Sequence, residues 1–361
     1  GTVETWVNSQ WKYQAVPGQL SVEINTVAIL PPSRAAASIH PPQLLIFIQR
    51  QVILQKILHF DQFDVAKLSN YDNYWIRKPR RIKMTLTAVR AGAYLHHVAF
   101  ESADPERLAQ FYADAMDMEL TKMGEEWICE GPQRRYIVRA GESRKLAYAG
   151  LACRDADGLA ELKARAEAEG LEILASSSIF FEEGAFAVRD PDDHLIAFGL
   201  AKPQKAGLKG ILGPTQHLTF ASLDVDAFSN FYHGKLGFAL SDRVRHKDGT
   251  LATCFTRSNH EHHTIACFKS DRTGVDHHSY EAGEWDTIRD WCDHLAEQNV
   301  PIMWGPGRHG PGNNLFIFIE DPDKNWIEIS AELEVVHDRP VKDWPHEPRT
   351  LNLWGKAILR S

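Results

Sequence analysis

Nothing in this chain reads as a disulfide framework or a cysteine-based zinc module. Its five cysteines, Cys129, Cys153, Cys254, Cys267 and Cys292, are odd in number, and none forms a C-x-x-C pair. A reducing compartment, the cytoplasm, is expected. No run of 18 apolar residues occurs, so no membrane span is expected. There is also no basic excess. Lys and Arg total 40 against 48 Asp and Glu, a net charge of -8, which argues against nucleic acid or an anionic membrane as the main partner. What remains is ordinary for a globular protein, with 43% hydrophobic and 24% charged residues. Its 361 residues are comfortable for two domains. The unusual abundance is histidine, 17 in all, with many in the C-terminal half.

Residues 1–92 read as an N-terminal extension of unknown role. They show no clear period, carry Pro31-Pro32, and include the basic cluster Arg77-Lys78-Pro79-Arg80-Arg81. Leu44 to Phe60 is apolar but broken by Arg50 and Lys56, as in a partly buried helix. Met84 is the first methionine, and a start of the main protein near it is one of the readings open. Acidic residues such as Glu4, Glu23, Asp61, Asp64 and Asp72 argue against a transit peptide.

From Tyr94 the chain repeats itself, and a repeat decides architecture before local detail does. Leu95-His96-His97-Val98-Ala99-Phe100, followed by Asp104-Pro105 and a helical pattern through Leu108, Phe111, Tyr112 and Met116, matches Gln216-His217-Leu218-Thr219-Phe220. The latter is followed by Asp224 and a helical pattern through Phe228, Phe231, Tyr232 and Leu236, closed by Gly237. Asp104 with Pro105 reads as a helix start and Gly237 as a helix stop. The ends match as well: Asp190-Pro191-Asp192-Asp193-His194-Leu195-Ile196-Ala197 parallels Asp321-Pro322-Asp323-Lys324-Asn325-Trp326-Ile327-Glu328. Each repeat is itself divided. Strand Leu146–Cys153 leads to a helix around Asp157–Glu169, and strand Val275–Glu281 to a helix around Glu284–Gln298 with Trp285, Ile288, Cys292 and Leu295 at helical spacing. The prediction is an α+β fold of four βαβββ units in two pairs, residues 93–201 and 214–335. Residues 202–213, rich in glycine, are the linker, and 336–361 a C-terminal tail.

Three residues far apart in sequence lie in strand-like runs: His217, His277 and Glu328. Two imidazoles and one carboxylate fill one face of an octahedron and leave the other open, as a non-haem Fe(II) site requires. Their counterparts in the first repeat are His97, Ala149 or Gly150, and Ala197, which hold no second or third ligand. The first pair therefore reads as scaffold and His97 as a packed histidine.

These repeats and motifs resemble the vicinal oxygen chelate superfamily, and within it the type I extradiol ring-cleavage dioxygenases, over about residues 93 to 335. The resemblance implies two half-open β-barrels, with metal only in the C-terminal one. It implies His217 as the first ligand on the opening strand. It selects His277 over the neighbouring His278, because the family's ligand is followed by a small then an aromatic residue, here Ser279-Tyr280. Neighbours on a strand face opposite sides, so only one of the two can ligate. His263, with His262 adjacent, stands at the spacing of the family's acid–base histidine, and His309 in an Arg-His-Gly loop at that of the histidine that hydrogen-bonds the substrate. Both tasks suit a group titrating near neutrality.

One departure stands out. The family usually has a tyrosine ten residues before the glutamate ligand; here the residue is Phe318, which can neither donate nor titrate. The reaction implied is Fe(II)-dependent cleavage of a catechol-type ring by dioxygen, with Mn(II) as the replacement metal. Phe255, Tyr280, Trp304 and Phe318 are the expected substrate walls. Arg308 is the one cation near them, so the diol is expected to be apolar. A homo-oligomer is expected. The competing reading is a non-oxygenase relative: a divalent-metal lyase or isomerase, or a metal-dependent ligand-binding protein.

Overall fold

The computed structural model describes residues 86–358. Most of the N-terminal extension, with the Leu44–Phe60 stretch, the basic cluster and Met84, lies outside the described residues, as do residues 359–361. Among the described residues no helix is long and apolar enough to cross a membrane.

After a short helix α1 (Thr87–Arg90), the first unit runs β1 (Tyr94–Ser102), α2 (Pro105–Asp114), β2 (Glu119–Met123), β3 (Glu126–Gly131) and β4 (Arg134–Ala140). The second runs β5 (Leu146–Cys153), α3 (Ala156–Ala168), β6 (Leu174–Ala175), β7 (Phe186–Arg189) and β8 (Leu195–Leu200). The third is β9 (Thr215–Ser222), α4 (Val225–Ser229), which continues as a π turn at Asn230–Lys235, then β10 (Ala239–Arg245), β11 (Leu251–Arg257) and β12 (Ile265–Lys269). The fourth is β13 (Gly274–Gly283), α5 (Trp285–Glu297), β14 (Trp304–Arg308), β15 (Leu315–Glu320) and β16 (Trp326–Ala331). The α+β architecture of four βαβββ units read from the sequence is thus present. Aspartates set the helix starts: Asp104, Asp155 and Asp224 each accept a backbone N–H from the first turn.

Two mixed sheets result. The first has the order β2-β3-β4-β1-β5-β8-β7-β6, the second β14-β15-β16-β13-β9-β12-β11-β10 and then β17 (Lys342–Pro345). In each sheet the two units meet through their opening strands, antiparallel, β1 on β5 and β9 on β13. Each opening strand also lies parallel to the last strand of its own unit. In the second sheet β16, β13 and β9 therefore lie side by side.

Alternation along these strands sorts their side chains. Leu218 and Phe220, Tyr280 and Ala282, Ile327 and Ile329 join the main apolar core with the helices. His217, His277 and Glu328 occupy the opposite face. Two tyrosines tie one repeat to the other in a reciprocal way. Tyr112 Oη donates to Asp321 Oδ2 at 3.3 Å, and Tyr232 Oη to Asp190 Oδ2 at 3.2 Å. The 202–213 segment is pinned as well: its Ile211 carbonyl accepts from Arg134 and its Leu212 carbonyl from Trp291.

The segment after residue 335 is more than a tail. β17 pairs parallel with β10 and completes the second sheet, and a one-turn helix α6 (Pro348–Leu351) follows it.

In the first sheet the positions matching the three site residues are His97, Gly150 and Ala197, direct cross-strand neighbours. The His97 ring lies over Gly150, so closely that a Cβ there would collide with it. Its Nε2 meets Ser178 Oγ at 2.8 Å, and Tyr148, Phe180 and Phe181 enclose it. Burial pushes its pKa well below the usual imidazole value, so it is neutral. Gly150→Ala should cost about 1–3 kcal/mol, as overpacking does. His97→Ala/Gly150→Ala should show most of that cost cancelled in a double-mutant cycle read by urea unfolding. Additive losses would mean that the two positions do not compete for one space.

Candidate metal centre

His217 on β9, His277 on β13 and Glu328 on β16 meet in the interior of the second sheet, all buried. One ligand atom from each lies within 4.8 Å of the other two, and among the described residues this is the one such group. His217 Nε2 is 2.9 Å from Glu328 Oε2, and His277 Nε2 is 3.3 Å from the same oxygen. The two rings stand nearly perpendicular, at 83°.

Each imidazole is aimed by the residue before it. His277 Nδ1 donates to Asp276 Oδ1 at 2.6 Å, and His217 Nδ1 to Gln216 Oε1 at 3.2 Å. With both Nδ1 atoms engaged, both Nε2 atoms turn toward Glu328. Asn314 Nδ2 fixes the other carboxylate oxygen, donating to Oε1 at 3.0 Å and to Ser330 Oγ at 3.0 Å. Such outer partners orient metal ligands and set their tautomer. Asp276, Gln216 and Asn314 were not among the expected site residues. The dipeptides Gln-His and Asp-His were the available signal for the first two; nothing in sequence singled out Asn314.

The electrostatics follow from burial and proximity. Burial alone would raise the Glu328 carboxyl, but His217, His277 and His309 hold it well below its usual value. Burial lowers His217 against the pull of Glu328. Burial also opposes protonation of His277, yet Asp276 and Glu328 together raise it. The carboxylate thus stays anionic, ringed by groups that present nitrogen to it.

A cavity of about 30 Å³ borders the group, room for about two water molecules. Phe255, Val244, Phe268, Thr350 and Leu351 are among its walls, with His263 and His309 at its polar side. His263 lies with its ring 4.1 Å from that of His217. His262, its neighbour, is fully buried away from the cavity against Asp242. His309 Nε2 is 3.5 Å from Glu328 Oε1.

His278, the neighbour passed over in favour of His277, points to the helix side, where its Nε2 meets Tyr112 Oη at 3.2 Å, so it cannot join Glu328. The expected substrate walls meet corrections. Tyr280 is not a wall: three residues from His277, it lies on the opposite face of β13, in the core beside His278. Trp304 and Phe318 stand behind the histidines and outside the cavity lining. Phe318 stacks on Trp304 at 5.2 Å and sets its ring edge to face with His277 at 5.2 Å. Of the four expected walls, Phe255 lines the cavity. Arg308 faces outward, donating to Glu332 and to the Asn313 carbonyl. Thr350 and Leu351 come from α6, a turn too short to carry a periodic signal.

With this geometry in hand, known proteins can be set beside it. Residues 215–329 match the model of the Glyoxalase/Bleomycin resistance protein/Dioxygenase superfamily. The chain is 24% identical over 292 residues to Metapyrocatechase 2 of Cupriavidus necator, covering 73% of this chain and 89% of that protein. It is 28% identical over 271 residues to Biphenyl-2,3-diol 1,2-dioxygenase of Paraburkholderia xenovorans, covering 68% and 87%. In structure it is similar to homoprotocatechuate 2,3-dioxygenase from Brevibacterium fuscum in complex with 3,4-dihydroxyphenylacetate. That TM-score is 0.65 at 18% identity, covering 74% of this chain and 89% of the other. It is also similar to the Mn(II)-bound glyoxalase from Novosphingobium aromaticivorans, with a TM-score of 0.61 at 22% identity over 73% and 91%. Residues 215–329 thus match the model of that superfamily, and the chain has the vicinal oxygen chelate fold of its extradiol dioxygenase structural neighbours.

Proposed function

We propose that the chain holds Fe(II) through His217, His277 and Glu328 and opens the ring of an apolar vicinal aromatic diol with dioxygen. The observation that supports this best is the convergence of two imidazole Nε2 atoms on one buried carboxylate oxygen beside an apolar cavity. The donor set fits the ion. Two nitrogens and one oxygen without sulfur suit iron or manganese better than a closed structural zinc site, and three donors leave positions free. When bound, the metal supplies a Lewis-acidic, redox-active centre open to both diol oxygens and to dioxygen.

The rest falls to side chains. Gln216 and Asp276 hold the two rings in register, and Asn314 holds the carboxylate. A diol reacts as its anion, so its hydroxyl protons must go to a nearby base. His263 and His309 are the titratable groups that line the cavity beside the ligands. Phe318 leaves them without the help of a phenol. No lysine or arginine lines the cavity, which favours an apolar ring substituent over an acidic one. The relatives named for catechol-type and biphenyl diols favour the same class. A cavity of this size admits a ring only when its walls shift. The lyase or isomerase alternative calls for a fourth protein ligand, and the group found among the described residues has three members; a ligand-binding protein would need no fourth and is separated by oxygen uptake.

Metal retention tests the site. His217→Ala and Glu328→Ala should each abolish it. Asp276→Ala and Asn314→Ala should weaken it roughly 10–100-fold, as loss of an orienting partner does. Competition with a chelator measures both, and full iron occupancy in Glu328→Ala would sink the assignment.

His263→Phe should keep its iron yet slow oxygen uptake with catechol, 3-methylcatechol or 2,3-dihydroxybiphenyl by roughly 10²- to 10⁴-fold. Undiminished turnover would place the base elsewhere.

A further inference from the structure

Asp242 and His262 are both fully buried and lie one layer behind the cavity. Burying a carboxylate and an imidazole together is costly unless their polar atoms are engaged. Asp242 is engaged almost wholly by the C-terminal segment. Its Oδ1 accepts from Arg339 Nη1 at 2.8 Å and from the Lys342 backbone N–H at 3.3 Å. Its Oδ2 accepts from Trp344 Nε1 at 2.8 Å, and His262 Nε2 lies 3.0 Å from the same oxygen, somewhat off the line of the ring N–H. Burial would raise this carboxyl, but His262, Trp344 and the Arg339 charge hold it below its ordinary value.

The other nitrogen of His262, Nδ1, is 3.0 Å from Nδ1 of His263. Two facing ring nitrogens can share only one proton between them. The anion beside His262 Nε2 favours a proton there. His262 Nδ1 is then bare and accepts from His263 Nδ1–H. That leaves His263 Nε2 as a bare lone pair on a ring that lines the cavity. The tautomer of an imidazole is set by the hydrogen bond its other nitrogen makes. A second ring obeys the same rule: His309 Nδ1 is 2.6 Å from the Leu351 carbonyl oxygen, which can only accept. Its proton therefore sits on Nδ1, and Nε2 is the nitrogen turned toward Glu328.

We infer that the segment from Arg339 to Leu351 holds a proton on Nδ1 of both His263 and His309, so that His263 offers a bare Nε2, with Asp242 and His262 as positioning residues for His263. The inference rests on the acid–base role given to the two rings above. It explains why a strand and a single helical turn beyond the fourth unit complete the sheet: both histidines are set by the same stretch of chain.

The test is a long-range proton–nitrogen correlation spectrum of the imidazoles in full-length, metal-free protein labelled with ¹⁵N-histidine. His263→Gln and His309→Gln identify the signals. Both rings should show a protonated Nδ1, and His263 an unprotonated Nε2. In Asp242→Leu, and in His262→Phe as the second variant, His263 should lose that pattern and place its proton on Nε2. Diol turnover in the iron-loaded Asp242→Leu protein should then fall by about 10²-fold, with KM and iron content little changed. A protonated Nε2 on His263, or an unprotonated Nδ1 on either ring, in the native protein would overturn the inference, and so would an unchanged His263 pattern in a folded Asp242→Leu variant. Should neither variant fold, the native spectrum decides alone. Because the spectrum needs neither diol nor oxygen, the expected tautomers without any ring opening would sink the proposed function and leave this inference standing.

Discussion

The structure depends on one buried carboxylate. Glu328 is 1% exposed and sits where water cannot solvate it, a position worth several kcal/mol of penalty to an unpartnered ion. It is tolerated because two imidazole Nε2 atoms turn to one of its oxygens and an asparagine amide to the other. Everything nearby serves that arrangement. Three adjacent strands bring the residues together, alternation puts them on one face, and Asp276 and Gln216 aim the rings. Two imidazoles and one carboxylate on one face form a group that could hold a metal ion.

The first sheet shows the same frame without this constraint. There the corresponding positions are His97, Gly150 and Ala197, and the imidazole falls across the glycine into the space that a second ligand would need. Held neutral by burial and enclosed by Tyr148, Phe180 and Phe181, it is part of a core. Duplication thus provides two scaffolds, of which one carries the charge. The reciprocal tyrosines, Tyr112 on Asp321 and Tyr232 on Asp190, then fix one repeat against the other from the helix side.

How far the sequence could be read depended on range. Strand alternation and the internal repeat are short-range signals, and they led to four βαβββ units and to the face shared by Ile327 and Ile329. Parity also separates His277 from His278. It was not applied far enough at Tyr280, which lies an odd number of residues from His277 and so belongs to the opposite face. Trp304 and Phe318, expected as substrate walls, pack against His309 and His277 outside the cavity lining. What could not be read was the role of the segment after residue 335. Its strand pairs with β10 a hundred residues away, Asp242 opposite Lys342, and its helix is a single turn. Long-range pairing of short elements leaves no period in a sequence, so Thr350, Leu351 and the Trp344–Asp242 contact surface only in three dimensions.

The central claim is that this cluster supports insertion of dioxygen into a diol ring, and isotope labelling tests it most directly. Iron-loaded protein would be given 2,3-dihydroxybiphenyl or 3-methylcatechol under ¹⁸O₂ in ordinary water, and the product examined by mass spectrometry. The account predicts a ring-opened product that carries both atoms of one dioxygen molecule, apart from oxygen lost by exchange with water. An unopened ring, or a product whose new oxygen comes from water, would contradict it.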